Sequence, residues 1–231
     1  MLRSVFTGAR HRLLIAAAVS VLGVMAFAQA MHPVSGRRIA GVMGHAGAAW
    51  LERPEREQEE APGKAIAALN IRPGQAIADI GAGSGYYTLR LADAVGPQGR
   101  VYATDIQPEM LALIKKKIDA RSPGNVELIL GTETEARLPA AAIDLALMVD
   151  VYHELAQPQA FLRSLKTTLR PDGRLVLIEF RKEDASVPIR AEHKMSVREA
   201  RMELEAEGFR FDRVIDVLPW QHILIFRRPP D

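Results

Sequence analysis

Three glycines at alternate positions follow a short apolar run and a carboxylate in Ile77-Ala-Asp-Ile-Gly-Ala-Gly-Ser-Gly-Tyr-Tyr87. Lacking Cβ atoms, Gly81, Gly83 and Gly85 let the chain turn sharply and let a ligand approach the backbone, while a helix starting just after them would offer unpaired N–H groups. A dinucleotide loop has the spacing G-x-G-x-x-G, whose last glycine permits close helix packing beside a pyrophosphate. Here Tyr86 stands at that place, and Asp79 lies two residues before the first glycine. A negative group beside the loop repels a pyrophosphate and attracts a ligand that carries positive charge.

S-adenosylmethionine, with its ammonium and sulfonium, is such a ligand. Asp105 closes the segment Val101-Tyr-Ala-Thr-Asp105, where a carboxylate can accept bonds from both hydroxyls of a ribose; that position serves NAD and S-adenosylmethionine alike. A second reactive group is Asp150-Val-Tyr-His-Glu154. His153 is the first choice for a general base because an imidazole titrates near neutrality, with Tyr152 beside it. Asp150 would orient the histidine, contact the cofactor or cap the next helix.

Strands are expected at Ala76–Ile80, Arg100–Ala103, Val126–Leu130, Ile143–Val149 and Arg174–Phe180, with helices between them at Tyr86–Ala94, Pro108–Ala120 and Gln157–Leu169. The alternation predicts βαβ units and a mostly parallel α/β sheet with helices on both faces. A helix is then expected over Glu192–Glu207. Two apolar runs, Phe211–Leu218 and His222–Arg227, flank Pro219-Trp-Gln221 and predict an antiparallel closing hairpin at the sheet edge. The charge-dense run from Leu51 to Glu60 reads as a solvated helix face, the sharper alternative being a lid formed by Trp50, Glu52 and Arg53.

From about Ala61 to Pro229 the chain resembles the class I S-adenosylmethionine-dependent methyltransferases. The residues that carry the resemblance are Ala78-Asp-Ile-Gly-Ala-Gly-Ser-Gly85, the acidic Asp105 and the terminal hairpin. The resemblance implies a Rossmann-like, seven-stranded, mostly parallel sheet and S-adenosylmethionine as cofactor. It implies that Asp79, Gly81, Ala82, Gly83, Gly85, Tyr87, Asp105, Ile106 and Asp150 border that cofactor, with Thr132 and Glu133 against the adenine. Thr132 departs from the family pattern, standing where an aspartate is frequent. Gly44-His45, Trp50-Leu-Glu-Arg-Pro54, Asp150-Val-Tyr-His-Glu154 and His193-Lys-Met195 are similar to a group of exported bacterial methyltransferase-like proteins. The expected function is methyl transfer to a small-molecule or envelope-associated acceptor. A non-catalytic nucleoside-binding protein and an NAD-dependent oxidoreductase are the alternatives.

His193 and Lys194 would read an anionic substrate or lie in a solvated loop, the latter preferred. Four scattered histidines, His45, His153, His193 and His222, show no metal-ligand spacing, and the chain has no cysteine; a metal-free mechanism is expected. The first thirty residues hold Arg3, Arg10 and Arg12, no acid, an uncharged stretch from Leu13 to Ala28 and the small-residue site Ala28-Gln29-Ala30. They read as a signal peptide directing export to the periplasm, with an uncleaved membrane anchor as the alternative. Removing those arginines takes the formal charge from +2 to −1, which leaves no basic excess for nucleic acid. Residues 31–60 form an arm and the possible lid; residues 61–231 form the methyltransferase-like domain.

Overall fold

The computed structural model describes residues 30–121 and 123–228; the leader expected over 1–30 falls, but for Ala30, outside them. Eight strands form one sheet: β1 (Ala76–Ile80), β2 (Arg100–Asp105), β3 (Val126–Leu130), β4 (Ile143–Val149), β5 (Leu169–Arg181), β6 (Lys194–Met195), β7 (Arg210–Ile215) and β8 (Gln221–Arg227). Their order is β3-β2-β1-β4-β5-β8-β7, with the two-residue β6 paired to β5. The ladders from β3 to β5 are all parallel.

The central strands are near-continuous apolar runs because both faces of the sheet are covered. Side chains alternate between faces along each strand, and the sheet accordingly splits the interior into two cores. Ala78, Ala146 and Met148 pack with Leu162, Leu165 and Leu204 from α5 (Pro158–Thr168) and α6 (Val197–Ala206). Ile77, Leu145 and Leu147 pack on the other face with Leu69 and with Leu91 of α3 (Tyr86–Val95). A smaller cluster joins Ala103 to Ile114 of α4 (Pro108–Arg121). Two short helices, α1 (Arg56–Glu59) and α2 (Pro62–Ala68), precede the sheet.

The expected antiparallel closing hairpin stands at the sheet edge: β8 lies between β5 and β7 and pairs antiparallel with both, so β7 is the edge strand. Two other expectations are corrected. The helix expected from Glu192 begins only at Val197, because Lys194 and Met195 pair with β5 and Ser196 then closes a capping box with Glu199. The charged run is a solvated face only in part, at Glu52, Glu55, Glu57 and Gln58. Arg56 and Glu60 are buried and joined at 2.6 Å, and Arg53 bridges to Glu59 and Glu60 with its guanidinium 3.6 Å from the Trp50 ring centroid.

The N-terminal arm is likewise anchored. Arg37 donates through Nε and Nη2 to the two carboxylate oxygens of Glu203 at 2.8 and 3.0 Å, and through Nη1 to the carbonyl of His153 at 3.0 Å. Ser35 Oγ also donates to Glu203, whose residue is fully buried. No helix among the described residues is long and apolar enough to cross a membrane. Removing one member of a buried ion pair leaves the other charge uncompensated. Arg37→Ala is therefore expected to cost on the order of 3 kcal/mol, lowering the melting temperature by roughly 10 °C; thermal denaturation showing no shift would contradict this role for the arm.

Candidate functional site

The carboxyl ends of β1, β2, β4 and β5 open on one cavity of about 540 Å³. Gly81 and Gly83 form part of its wall. Both have positive φ, +66° and +54°, the left-handed region that favours glycine. A Cβ on Gly81 would stand 2.5 Å from Val151 Cγ2, so the loop and the turn after β4 touch through the missing side chain. At Gly83 the nearest atom is the tip of Leu51, a side chain that can move.

Asp105 holds this loop to β2. Its Oδ2 accepts from Gly83 N and its Oδ1 from Gln107 N, each at 2.9 Å. Burial raises its carboxyl above the ordinary value, although the backbone N–H groups favour the anion. The carboxylate keeps acceptor capacity for a ligand beyond these backbone donors. Ile106, Thr132 and Glu133 continue the wall beyond it. Thr132 Oγ1 accepts from Glu135 N at 3.0 Å, which turns the loop after β3 back on itself.

Asp150 and Arg56 stand in the same cavity wall. Asp150 has φ +54°; its Oδ2 accepts from Gln221 Nε2 at 2.7 Å, whereas its buried Oδ1 has no hydrogen-bond partner. Burial, then the carboxylates of Glu60 and Glu179, push its carboxyl well above the usual range, with Arg56 acting the other way. It neither caps a helix nor bonds His153. Arg56 Nε donates to Glu60 and Nη1 to the carbonyl of Leu51 at 2.9 Å, its guanidinium lying 4.2 Å from the Tyr86 ring centroid.

His153 is buried, and it too lies in the wall. Its Nδ1 is 2.5 Å from Glu179 Oε2, while Glu179 Oε1 accepts from Tyr152 N at 3.0 Å. One fully buried carboxylate on β5 thus fixes both the ring and the turn that carries it. With the Nδ1 proton held on that carboxylate, Nε2 presents its lone pair. It faces His193 Nδ1 at 3.1 Å, and Glu154 completes the cluster. Burial pushes the Glu154 carboxyl up to about 7, against the influence of His153. His193 is lowered by burial and then by the charge of His153.

Of the residues picked out in the sequence, Gly81, Gly83, Asp105, Ile106, Thr132, Glu133, Asp150 and His153 line this cavity together. Asp79, Ala82, Gly85, Tyr87 and Tyr152 are not in its wall. Asp79 is buried and takes Thr88 Oγ1 at 2.6 Å, with burial pushing its carboxyl up to about 6; it ties α3 to β1. Ala82 packs against Ala103 and Ile114, and Gly85 lets Ile114 come close. Tyr87 packs in the core near Arg56. Tyr152 is fully buried on the other side of its turn, where Arg37 lies 5.5 Å from its ring centroid, so its hydroxyl has no access to a substrate in the cavity.

Two wall or supporting residues were not singled out in the sequence. Glu179 had a signal, a lone carboxylate in the apolar run Leu175-Val-Leu-Ile-Glu-Phe180. Arg56 was hidden among other charges. His193, weighed as a reader of an anionic substrate with a solvated loop preferred, is in the cavity wall beside His153, forty positions away, a separation that no local spacing reveals.

The model of the methyltransferase domain family matches residues 77–173. That stretch of the chain, from β1 to the start of β5, is similar to the methyltransferase domain. A methyltransferase of Aquifex aeolicus described as SAM-dependent is 29% identical, with a TM-score of 0.76, 81% of this chain and 100% of that chain being covered. Protein-L-isoaspartate O-methyltransferase of Methanothrix thermoacetophila is 30% identical over 109 residues, 47% of this chain and 49% of that protein. A ubiquinone/menaquinone biosynthesis C-methyltransferase of Ectopseudomonas mendocina is 31% identical over 113 residues, 48% and 44% of the two chains. The chain thus spans about half the length of the curated relatives it matches, and one of these is named for oxygen and the other for carbon. The fold is that of the class I methyltransferases.

The glycine contacts give a stability test. Gly81→Ala must displace a β-branched side chain packed in the loop and is expected to cost about 1–3 kcal/mol, beyond the left-handed strain that Gly83→Ala shares. Melting curves should show Gly81→Ala the less stable by several degrees; equal curves would contradict the close contact with Val151.

Proposed function

We propose that the protein is an S-adenosylmethionine-dependent methyltransferase acting on a small-molecule acceptor that enters the apolar part of the cavity. The observation that carries the reading is the presence of both Arg56 and Asp150 in the wall that also holds Gly81, Gly83 and Asp105. An amino-acid moiety brings one carboxylate and one ammonium. Arg56 offers a cation to the first, and the orphaned buried Oδ1 of Asp150 offers an acceptor to the second. A buried oxygen without a partner is costly, and an ammonium donor would satisfy it.

The remaining wall fits the rest of such a cofactor. Asp105 would accept from the ribose hydroxyls, while Thr132 and Glu133 would border the base. Bound in this way, S-adenosylmethionine supplies an electrophilic methyl group. The chain's own contribution is then alignment, exclusion of water and handling of the acceptor's proton. Trp50, Met43 and Leu155 give the acceptor side an apolar wall. His153, braced by Glu179, stands in the same wall with Nε2 turned to His193.

Export is part of the same proposal; it rests on the arginines, the uncharged stretch and the Ala28-Gln29-Ala30 site. Cell fractionation is expected to recover a product starting at Met31 outside the cytoplasm, and an intact chain in the cytoplasm would contradict it. For the cofactor, calorimetric titration should give binding of S-adenosylmethionine and S-adenosylhomocysteine but not NAD. Arg56→Ala and Asp150→Asn should each weaken that binding at least tenfold, about 1.4 kcal/mol. Binding of NAD, or unchanged affinity in both variants, would overturn the reading.

A further inference from the structure

We propose that His153, Glu154 and His193 form a binding site for a transition-metal dication of the zinc or iron(II) class in the cavity wall. His153 Nε2 and His193 Nδ1 are 3.1 Å apart, and Glu154 Oε1 lies 3.9 Å from the first and 3.8 Å from the second. The nearest point equidistant from three atoms so separated lies in their plane, about 2.1 Å from each, which is the length of a zinc–imidazole or zinc–carboxylate bond. The triangle is therefore small enough for one ion to reach all three donors.

Two further features belong to a metal centre. Ligating histidines nearly always donate their second ring N–H to a carboxylate or carbonyl, which fixes the tautomer and turns the lone pair to the metal. Glu179 does this for His153, from a fully buried position on β5. The donors come from separate elements, His153 and Glu154 from the turn after β4 and His193 from the 3₁₀ turn before β6, so the fold and not a local repeat brings them together. Two imidazoles with one carboxylate suit zinc or iron(II) better than magnesium or calcium, which prefer all-oxygen shells. The expectation of a metal-free mechanism rested on linear spacing, which the fold does not respect.

Three protein ligands leave coordination positions open, and all three residues border the cavity. A hydroxyl of the acceptor coordinated there would lose its proton more readily. That use of the metal rests on the methyl-transfer reading; the binding of the metal does not.

The test uses the full chain without a polyhistidine tag, stripped with a chelator and titrated with Co(II) by visible absorption, then with Zn(II) in competition. One equivalent should bind, His193→Ala and Glu154→Gln should each weaken it at least tenfold, and Glu179→Gln should weaken it by about 10–100-fold as a positioning residue. His45→Ala, at an exposed histidine, should leave it unchanged. Melting curves of the metal-free variants establish that each is folded. Absence of a stoichiometric site in the parent chain, or affinity unchanged in both His193→Ala and Glu154→Gln, overturns the proposal. Neither result depends on S-adenosylmethionine, so it stands apart from the cofactor titration.

Discussion

The reversal of strand order at β1 and β4 is the constraint on which everything else depends. From β1 the chain proceeds outward through β2 to β3, then returns to place β4 on the other side of β1 and proceeds through β5. Connections leaving the carboxyl ends of β1 and β4 therefore diverge, and a crevice opens between them. The glycine loop fills one side of it and the His153 turn the other. They meet where Gly81 lies against Val151, so the width of the crevice is set by a side chain that is absent. A bulkier residue there would wedge apart the two halves of the site.

Buried charge holds the surroundings of that crevice in place. Glu179, Glu60 and Glu203 are each fully buried, and each has a specific partner: His153, Arg56 and Arg37. An unpaired carboxylate in such positions would be expensive, so the Arg37–Glu203 and His153–Glu179 pairs each tie two distant stretches of chain together. The Arg37 pair fastens the N-terminal arm to α6 and to the carbonyl of His153; the Arg56–Glu60 pair is local, four residues apart, and the Arg56 guanidinium lies over the ring of Tyr86 just after the glycine loop. The arm and the charged run thus complete the wall of the cavity that the sheet alone leaves open.

Much of this was legible in the chain. Short apolar runs and helical patterns located β1 to β5 and α3 to α5; β1 and β4 are buried on both faces and read as unbroken apolar runs, whereas β3 at the sheet edge is partly exposed. The glycine spacing and the carboxylate ending β2 located one half of the crevice. What failed did so for physical reasons. Tyr152 and His153 are neighbours in a 3₁₀ turn whose successive side chains leave in different directions, so adjacency placed the tyrosine in the site when its ring belongs to the core. Asp79 reads as a ligand for a cation, whereas its carboxylate accepts from Thr88. The run Leu51 to Glu60 reads as solvated since composition does not say which charges find partners inside. His193 and His153 meet through a β5 to β6 pairing only two residues long. Such a pairing leaves no periodicity to detect.

The central proposal is that this crevice holds S-adenosylmethionine with its amino-acid end between Arg56 and Asp150. A crystal structure of the protein with S-adenosylhomocysteine tests it most directly. The predicted result is the ammonium on Asp150 Oδ1, the carboxylate near Arg56, the ribose hydroxyls on Asp105 and the base beside Thr132 and Glu133. A ligand bound with its amino-acid end away from Asp150, or outside the crevice altogether, would contradict it.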